Sequence, residues 1–249
     1  MATCLVSNEP TINPLVAIAS ATEDRVPEIP RDVAEIVVVR HGETTWNAAG
    51  IIQGELESDL NEVGWKQAAA IAERLAKEQK PVAIYSSDLK RAKDTAEMIA
   101  KKWHIPEVIV VPELKERHVG SLQGLVWGEI KEKEPEAYHA FFSSQNDLEI
   151  PGGGESFDQL CERSVAALEE IASRHKGERV VVVTHGGVLR AIYMSVTREP
   201  TAGKIMNGSV NVLHLSDKKW AFNSWSDVSH LNEVGFLQRG FNGDTLLQQ

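Results

Sequence analysis

Two stretches constrain the fold more than any others: "AEIVVVR" at residues 34–40 and "RVVVVT" at residues 179–184. A strand with one face in water alternates apolar and polar residues, because successive side chains point to opposite sides of the sheet. Neither stretch alternates. Both must be covered on two faces, the condition of a parallel sheet packed between helices. Both also stop in side chains that a buried strand cannot hide, Arg40 and His41 after the first and His185 after the second.

The rest of the chain supplies the covering layers. "LNEVGWKQAAAIAERLAKEQ" carries Ala68, Ile71, Ala72 and Leu75 at helical spacing, "VAIYSSD" reads as a second strand, and "LKRAKDTAEMIAKKW" as a helix ended near His104 by Pro106. "EVIVVPEL" reads as a third strand and "RVVVVTHGG" as a fourth. Ser156 and Gln159 make a capping box for a helix over 157–175. "GVLRAIYMSV" is a further helix, and 209–226 a hairpin turning at "SDKK". Residues 116–155 are less regular, with short helical pieces at 127–133 and 135–142. Their Trp127, Tyr138, Phe141 and Phe142 read as a small local core or as pocket lining. The pattern predicts a single three-layer α/β domain over 34–228, with a mostly parallel central sheet and helices on both faces. A flexible lead-in over 1–33 (prolines at 10, 14, 27 and 30) precedes it, and a tail over 229–249 follows.

A formal net charge of −10 argues against nucleic acid as a partner. No apolar run reaches the roughly 18 residues of a membrane span. Two cysteines, Cys4 and Cys161, make no disulfide framework and fit a reducing compartment, so the cytoplasm is expected. Glu9, Glu23 and Asp24 count against a transit peptide in the lead-in, with an organelle address as the alternative.

Ligands of open α/β sheets bind beyond the carboxyl ends of the strands. Arg40 and His41, Arg91, Glu116 and Arg117, and His185 follow four different strands toward that rim. Guanidinium groups fork onto phosphate oxygens. A neutral imidazole attacks phosphorus, a second imidazole, charged, stabilises the oxygens, and a carboxylic acid protonates the leaving oxygen. Singly, each has a bland counterpart: Arg40 as an ion-pair partner of Glu43, His185 as a hydrogen-bonded core histidine. Glu113 stands close enough to Glu116 to serve as the acid instead. No H-E-x-x-H spacing or Walker frame occurs, so neither a metal nor another cofactor is expected.

"RHGETTWN", "SSDLKRAKDTAEMI", "ERHVGSLQG" and "THGG" together resemble the histidine phosphatase superfamily, the phosphoglycerate-mutase-like group, over residues 34–215. The resemblance implies His41 as a nucleophile that becomes phosphohistidine, Arg40, Arg91 and His185 as holders of the phosphoryl group, and Glu116 as proton donor. It also points to Asn47, Gln53, Gly54, His118 and Gly186 as substrate-side residues, and is compatible with a homodimer. Mutases of the group carry a tyrosine where Val119 stands, an asparagine at Gly187, and an arginine pair between Arg117 and Arg163, where this chain has none. The departures favour a metal-independent phosphatase of small phosphorylated metabolites, with a phosphoglycerate mutase or a non-catalytic binding protein as alternatives.

Overall fold

The computed structural model describes residues 28–217 and 219–237. Most of the expected lead-in, with Cys4, and the last part of the expected tail lie outside the described residues. Strands β1 (Ala34–Arg40), β2 (Ala83–Ser86), β3 (Ile109–Val110), β4 (Arg179–Thr184), β5 (Val210–Ser216) and β6 (Lys219–Asp227) form one sheet in the order β3-β2-β4-β1-β5-β6. β1 to β4 run parallel, and the hairpin β5–β6 adds an antiparallel edge beside β1.

Alternate residues of the two valine strands enter two different cores. Ile36, Val38, Val180 and Val182 pack against Leu160, Leu168 and Ile171 of α6 (Phe157–Arg174) and Leu189 and Ile192 of α7 (Gly186–Thr197). Val37, Val39, Val181 and Val183 pack against Ile71 and Leu75 of α2 (Glu62–Leu75) and Ala96 and Ile99 of α3 (Lys90–Trp103). Each of the β4 valines is fully buried, worth roughly 1.5–3 kcal/mol apiece. This two-sided burial is why neither strand alternates.

Two local devices match the sequence reading. Ser156 Oγ accepts from the Gln159 backbone N–H at 3.1 Å while Gln159 Oε1 accepts from Ser156 N–H at 2.8 Å, starting α6. His104 ends α3 in a left-handed conformation, φ 52°. One strand is shorter than expected. "EVIVVPEL" yields only the two-residue β3, an edge strand whose Ile109 and Val110 are exposed and whose path Pro112 turns into a 3₁₀ turn.

Residues 119–150 form a small lobe over the carboxyl ends of the strands. Ile52, Val119, Leu122, Ile130 and Ile150 pack there with the aromatic rings of Trp127, Tyr138, Phe141 and Phe142. α4 (Ile130–Lys133) and α5 (Pro135–Phe141) provide its helical pieces. The lobe roofs one side of the rim where β1 and β4 end.

Candidate active site

In the sheet β1 and β4 are direct neighbours, and Arg40 pairs in register with Thr184. The next residue of each strand therefore emerges beside the other, and the imidazoles of His41 and His185 lie 5.1 Å apart, centroid to centroid. Residues 144 positions apart in sequence are brought together by two parallel strands of matched length.

The backbone around His41 is held tightly. His41 N–H donates to Thr184 O at 3.0 Å, Gly42 N–H to Thr95 Oγ1 at 3.1 Å, and Asn207 Nδ2 to His41 O at 3.2 Å. His41 Nδ1 sits 2.7 Å from Gly42 O. A carbonyl only accepts, so Nδ1 carries the proton and Nε2 keeps its lone pair. Burial, then the charges of Arg91 and Arg40, hold the His41 pKa well below the usual imidazole value, so the ring is neutral at neutral pH.

His185 is fully buried, its Nε2 2.7 Å from Ser87 Oγ, and its Nδ1 makes no hydrogen bond. Burial, Arg91 and His41 hold its pKa well below the usual value too. Burial first and the neighbouring cations second thus favour the neutral ring in the free site, whereas the charged imidazole expected from the sequence belongs to the phosphoryl-loaded site, where the substrate's negative charge acts in the opposite direction.

Those guanidiniums line the cleft from two sides. Arg40 donates through Nη1 to Ile205 O at 2.6 Å. Arg91, in the first turn of α3, donates to Leu56 O at 2.9 Å and Gly54 O at 2.7 Å, while its buried Nε makes no hydrogen bond. Burial pulls both pKa values down to about 10, with Glu116 acting against it, so both stay charged at neutral pH.

Glu116 lines the same cleft, close enough for its charge to act on both. Its oxygens accept from Arg117 N–H at 2.9 Å and from Gly187 N–H at 3.1 Å, in the first turn of α7. A Cβ at Gly187 would overlap Glu116 Oε1, so glycine there gives the carboxylate its seat. Arg163 locks the preceding segment, donating to Glu113 O, Lys115 O and Glu116 O at 2.6, 2.8 and 3.1 Å. Glu113 is exposed, whereas Glu116 is buried in the cleft wall. The Glu43 carboxylate accepts from Asn61 Nδ2 at 2.7 Å, and its charge also acts on Arg40.

Asn47, Gln53 and Gly54 also line the cleft. Asn47 Oδ1 closes a capping box on Thr44 at the start of α1 (Thr45–Ala49) and takes a bond from Asn207 at 3.1 Å. Gln53 Oε1 accepts from Thr44 Oγ1 at 3.0 Å. Gly54 adopts φ +54° and presents its carbonyl to Arg91. Three expected residues are not among those that line the cleft: His185, buried behind His41, together with His118 and Gly186. His118 turns aside, its Nδ1 accepting from Gly120 N–H at 3.2 Å and its Nε2 3.3 Å from Gln123 Nε2, so it fastens its loop. Gly186 is buried in the first turn of α7, and its neighbour Gly187 reaches the wall instead. Trp127 and Phe141 belong to the local core and line the cleft as well.

Sequence reasoning missed Ser87, Asn207 and Arg190. Ser87 directly follows β2, at the same rim as the histidines, and that position was a usable signal. Arg190 is the one charge in the sequence of α7 and lines the cleft. Asn207 carries no sequence signal.

Among the described residues no cluster of three histidine, cysteine, aspartate or glutamate side chains could hold a metal ion, and no helix is long and apolar enough to cross a membrane. The "Metal-independent phosphoserine phosphatase" of Arabidopsis thaliana is 75% identical over 217 residues, spanning 87% of this chain and 91% of that protein. "Phosphoglycerate mutase-like protein 4" of the same plant is 56% identical over 217 residues, 86% of this chain and 94% of that protein. The structure of Bacillus stearothermophilus YhfR superposes with a TM-score of 0.72 at 31% identity, covering 80% of this chain and 99% of that one. The histidine phosphatase superfamily (branch 1) pattern matches residues 36–228, and the chain belongs to that superfamily.

Proposed function

We propose that this chain hydrolyses O-phosphoserine, with His41 as the nucleophile and Glu116 as the proton donor. The chain is a phosphoric monoester hydrolase of the metal-independent kind. Support for serine as the leaving alcohol comes from the relative that shares 75% of its residues.

One observation carries the mechanism. A neutral imidazole, with its lone pair on Nε2, lines one cleft together with two charged guanidiniums and a carboxyl group. In the first step Nε2 forms a bond to phosphorus and the ester P–O bond breaks. Its electron pair goes to the serine oxygen, which takes the proton of Glu116. In the second step a water oxygen bonds to phosphorus, the P–N bond breaks, Glu116 accepts the water's proton, and inorganic phosphate departs. Arg40 and Arg91 offset the charge of the equatorial oxygens throughout; such positioning and charge stabilisation account for most phosphoryl-transfer catalysis.

Two cleft positions favour hydrolysis over a mutase. Val119, where mutases of the group have tyrosine, is an apolar wall residue that supplies no polar group to a second phosphate. Gly187 leaves the Glu116 carboxylate bonded to backbone N–H, where an asparagine side chain would displace it. The test is phosphate release from O-phosphoserine in the presence of EDTA, by the wild type and by His41→Ala. The reading requires wild-type turnover unaffected by chelator and none by the variant. Transfer from 2,3-bisphosphoglycerate to monophosphoglycerate exceeding hydrolysis would reverse it.

A further inference from the structure

The cleft holds more positive charge than a phosphoryl group uses. Arg40, Arg91, Arg117 and Arg190 line it with the one carboxyl group of Glu116, a formal excess of three positive charges when Glu116 is ionised and four when it holds the proton it donates. A phosphomonoester dianion offsets two of them, so at least one remains.

Arg117 and Arg190 also line an adjoining cavity to which none of Arg40, His41 and Arg91 contributes. Arg117 follows Glu116 in the chain and donates through Nε to Glu155 O at 3.0 Å. Arg190 lies one turn along α7 from Gly187, on the same helix face that gives Glu116 its N–H bond. Both guanidiniums lie over the ring of Phe157, at 5.8 Å for Arg117 and 4.9 Å for Arg190. The acid of that neighbourhood, Glu155, commits its carboxylate to Arg163 at 2.6 and 2.9 Å. Arg117 is pulled down to about 10 by burial; the charge of Glu155 acts against that shift, and the like charge of Arg190 acts with it.

Glu116 protonates the ester oxygen, so that oxygen must sit beside it. The phosphoryl group then lies toward His41, Arg40 and Arg91, and the alcohol extends toward Arg117 and Arg190. We propose that Arg117 and Arg190 hold a carboxylate of the substrate, so that the enzyme selects phosphomonoesters whose alcohol carries a carboxylate near the ester oxygen. The inference rests on the reading of His41 and Glu116 given above. O-phosphoserine has this form, with two carbons between the ester oxygen and the carboxylate carbon. A carboxylate matches the residual charge, and paired N–H groups on a flat guanidinium match its two oxygens.

The test compares substrates differing only in that carboxylate: O-phosphoserine against O-phosphoethanolamine, and phosphoglycolate against methyl phosphate. Wild-type kcat/KM should favour the carboxylated member of each pair by at least about tenfold. Arg117→Met and Arg190→Met, which keep volume and lose charge, should each shrink that preference severalfold, chiefly through KM. Arg190→Lys, which keeps charge and loses the fork, should fall between. Equal kcat/KM within each pair in the wild type, or Met variants that slow both members alike, would overturn the proposal. So would inhibition by propane-1,3-diol bisphosphate, which carries no carboxylate, that vanishes in the Met variants, because the pair would then serve a second phosphate. If O-phosphoserine is inert while phosphoglycolate outpaces methyl phosphate, the serine reading fails and the carboxylate subsite stands.

Discussion

Gly187→Ala separates the acid's position from the rest of the pocket with one methyl group. The added Cβ would overlap Glu116 Oε1 and lie 3.2 Å from the carboxyl carbon, so the carboxyl group must give way by about 1 Å. It would also lose its bond from the residue 187 N–H, now 3.1 Å. A displacement of that size costs on the order of 10²-fold in rate, within the roughly 10²–10⁴ that a positioned acid contributes. The fold should survive, since alanine stabilises a helix by up to about 1 kcal/mol over glycine. The assay is single-turnover dephosphorylation of O-phosphoserine and p-nitrophenyl phosphate by the folded variant, with thermal unfolding as control. Serine's oxygen needs a proton to leave, whereas p-nitrophenolate leaves without one. The loss should therefore be about 10²-fold for the first substrate and severalfold at most for the second. Wild-type rates, or equal losses on both substrates, would refute the placement of Glu116 as acid.

Four further outcomes follow from named groups and contacts. Burial and the charges of Arg91 and Arg40 hold His41 of the free enzyme neutral, its pKa well below 6.5, so kcat/KM, corrected for ionisation of the substrate's own phosphate, should hold as pH falls through 6.5; an acid limb centred at 6.5 or above would contradict this. Because His41 and His185 are held neutral in the fold, their contribution to stability is complete above the unfolded value of 6.5. It declines as pH falls below that value, toward their lower folded pKa values, which urea unfolding at a series of pH values would register. Ser87→Ala strips the fully buried His185 Nε2 of its partner and should cost about 1–3 kcal/mol in the same assay, with unchanged stability counting against the contact. Arg163→Met frees the carbonyls of Glu113, Lys115 and Glu116, and should lower kcat for O-phosphoserine more than for p-nitrophenyl phosphate, since Arg163 acts through the acid; equal losses would make it merely structural.

The sheet and half of the pocket were legible because one physical rule governs both. A strand covered on both faces has no polar position, so Arg40, His41 and His185 stand out where β1 and β4 end. Amphipathic spacing likewise gave the buried Ala68, Ile71, Ala72 and Leu75 of α2. β3 was overread because an apolar run does not say whether a strand is central or at the edge, and here the edge leaves Ile109 and Val110 exposed. His118 was overread because its side chain is aimed by the 3₁₀ turn at Gly120–Leu122, a local geometry that no periodicity encodes. The charge state of His185 depends on Arg91, which reaches it from α3. Ser87, Arg117 and Arg190 act through neighbours distant in sequence, such as His185 and Phe157, which only the folded chain brings near.

The covalent step is the center of the account, and it is directly observable. Acid-stable labels are absent from a phosphoimidazole, so the protein should be mixed with ³²P-labelled O-phosphoserine, quenched in alkali within milliseconds, digested and mapped. Label on residue 41, labile to acid and lost in His41→Ala, with a burst of serine ahead of phosphate, is the predicted result. Serine and phosphate released together with no labelled peptide, or label carried by another side chain, would contradict it.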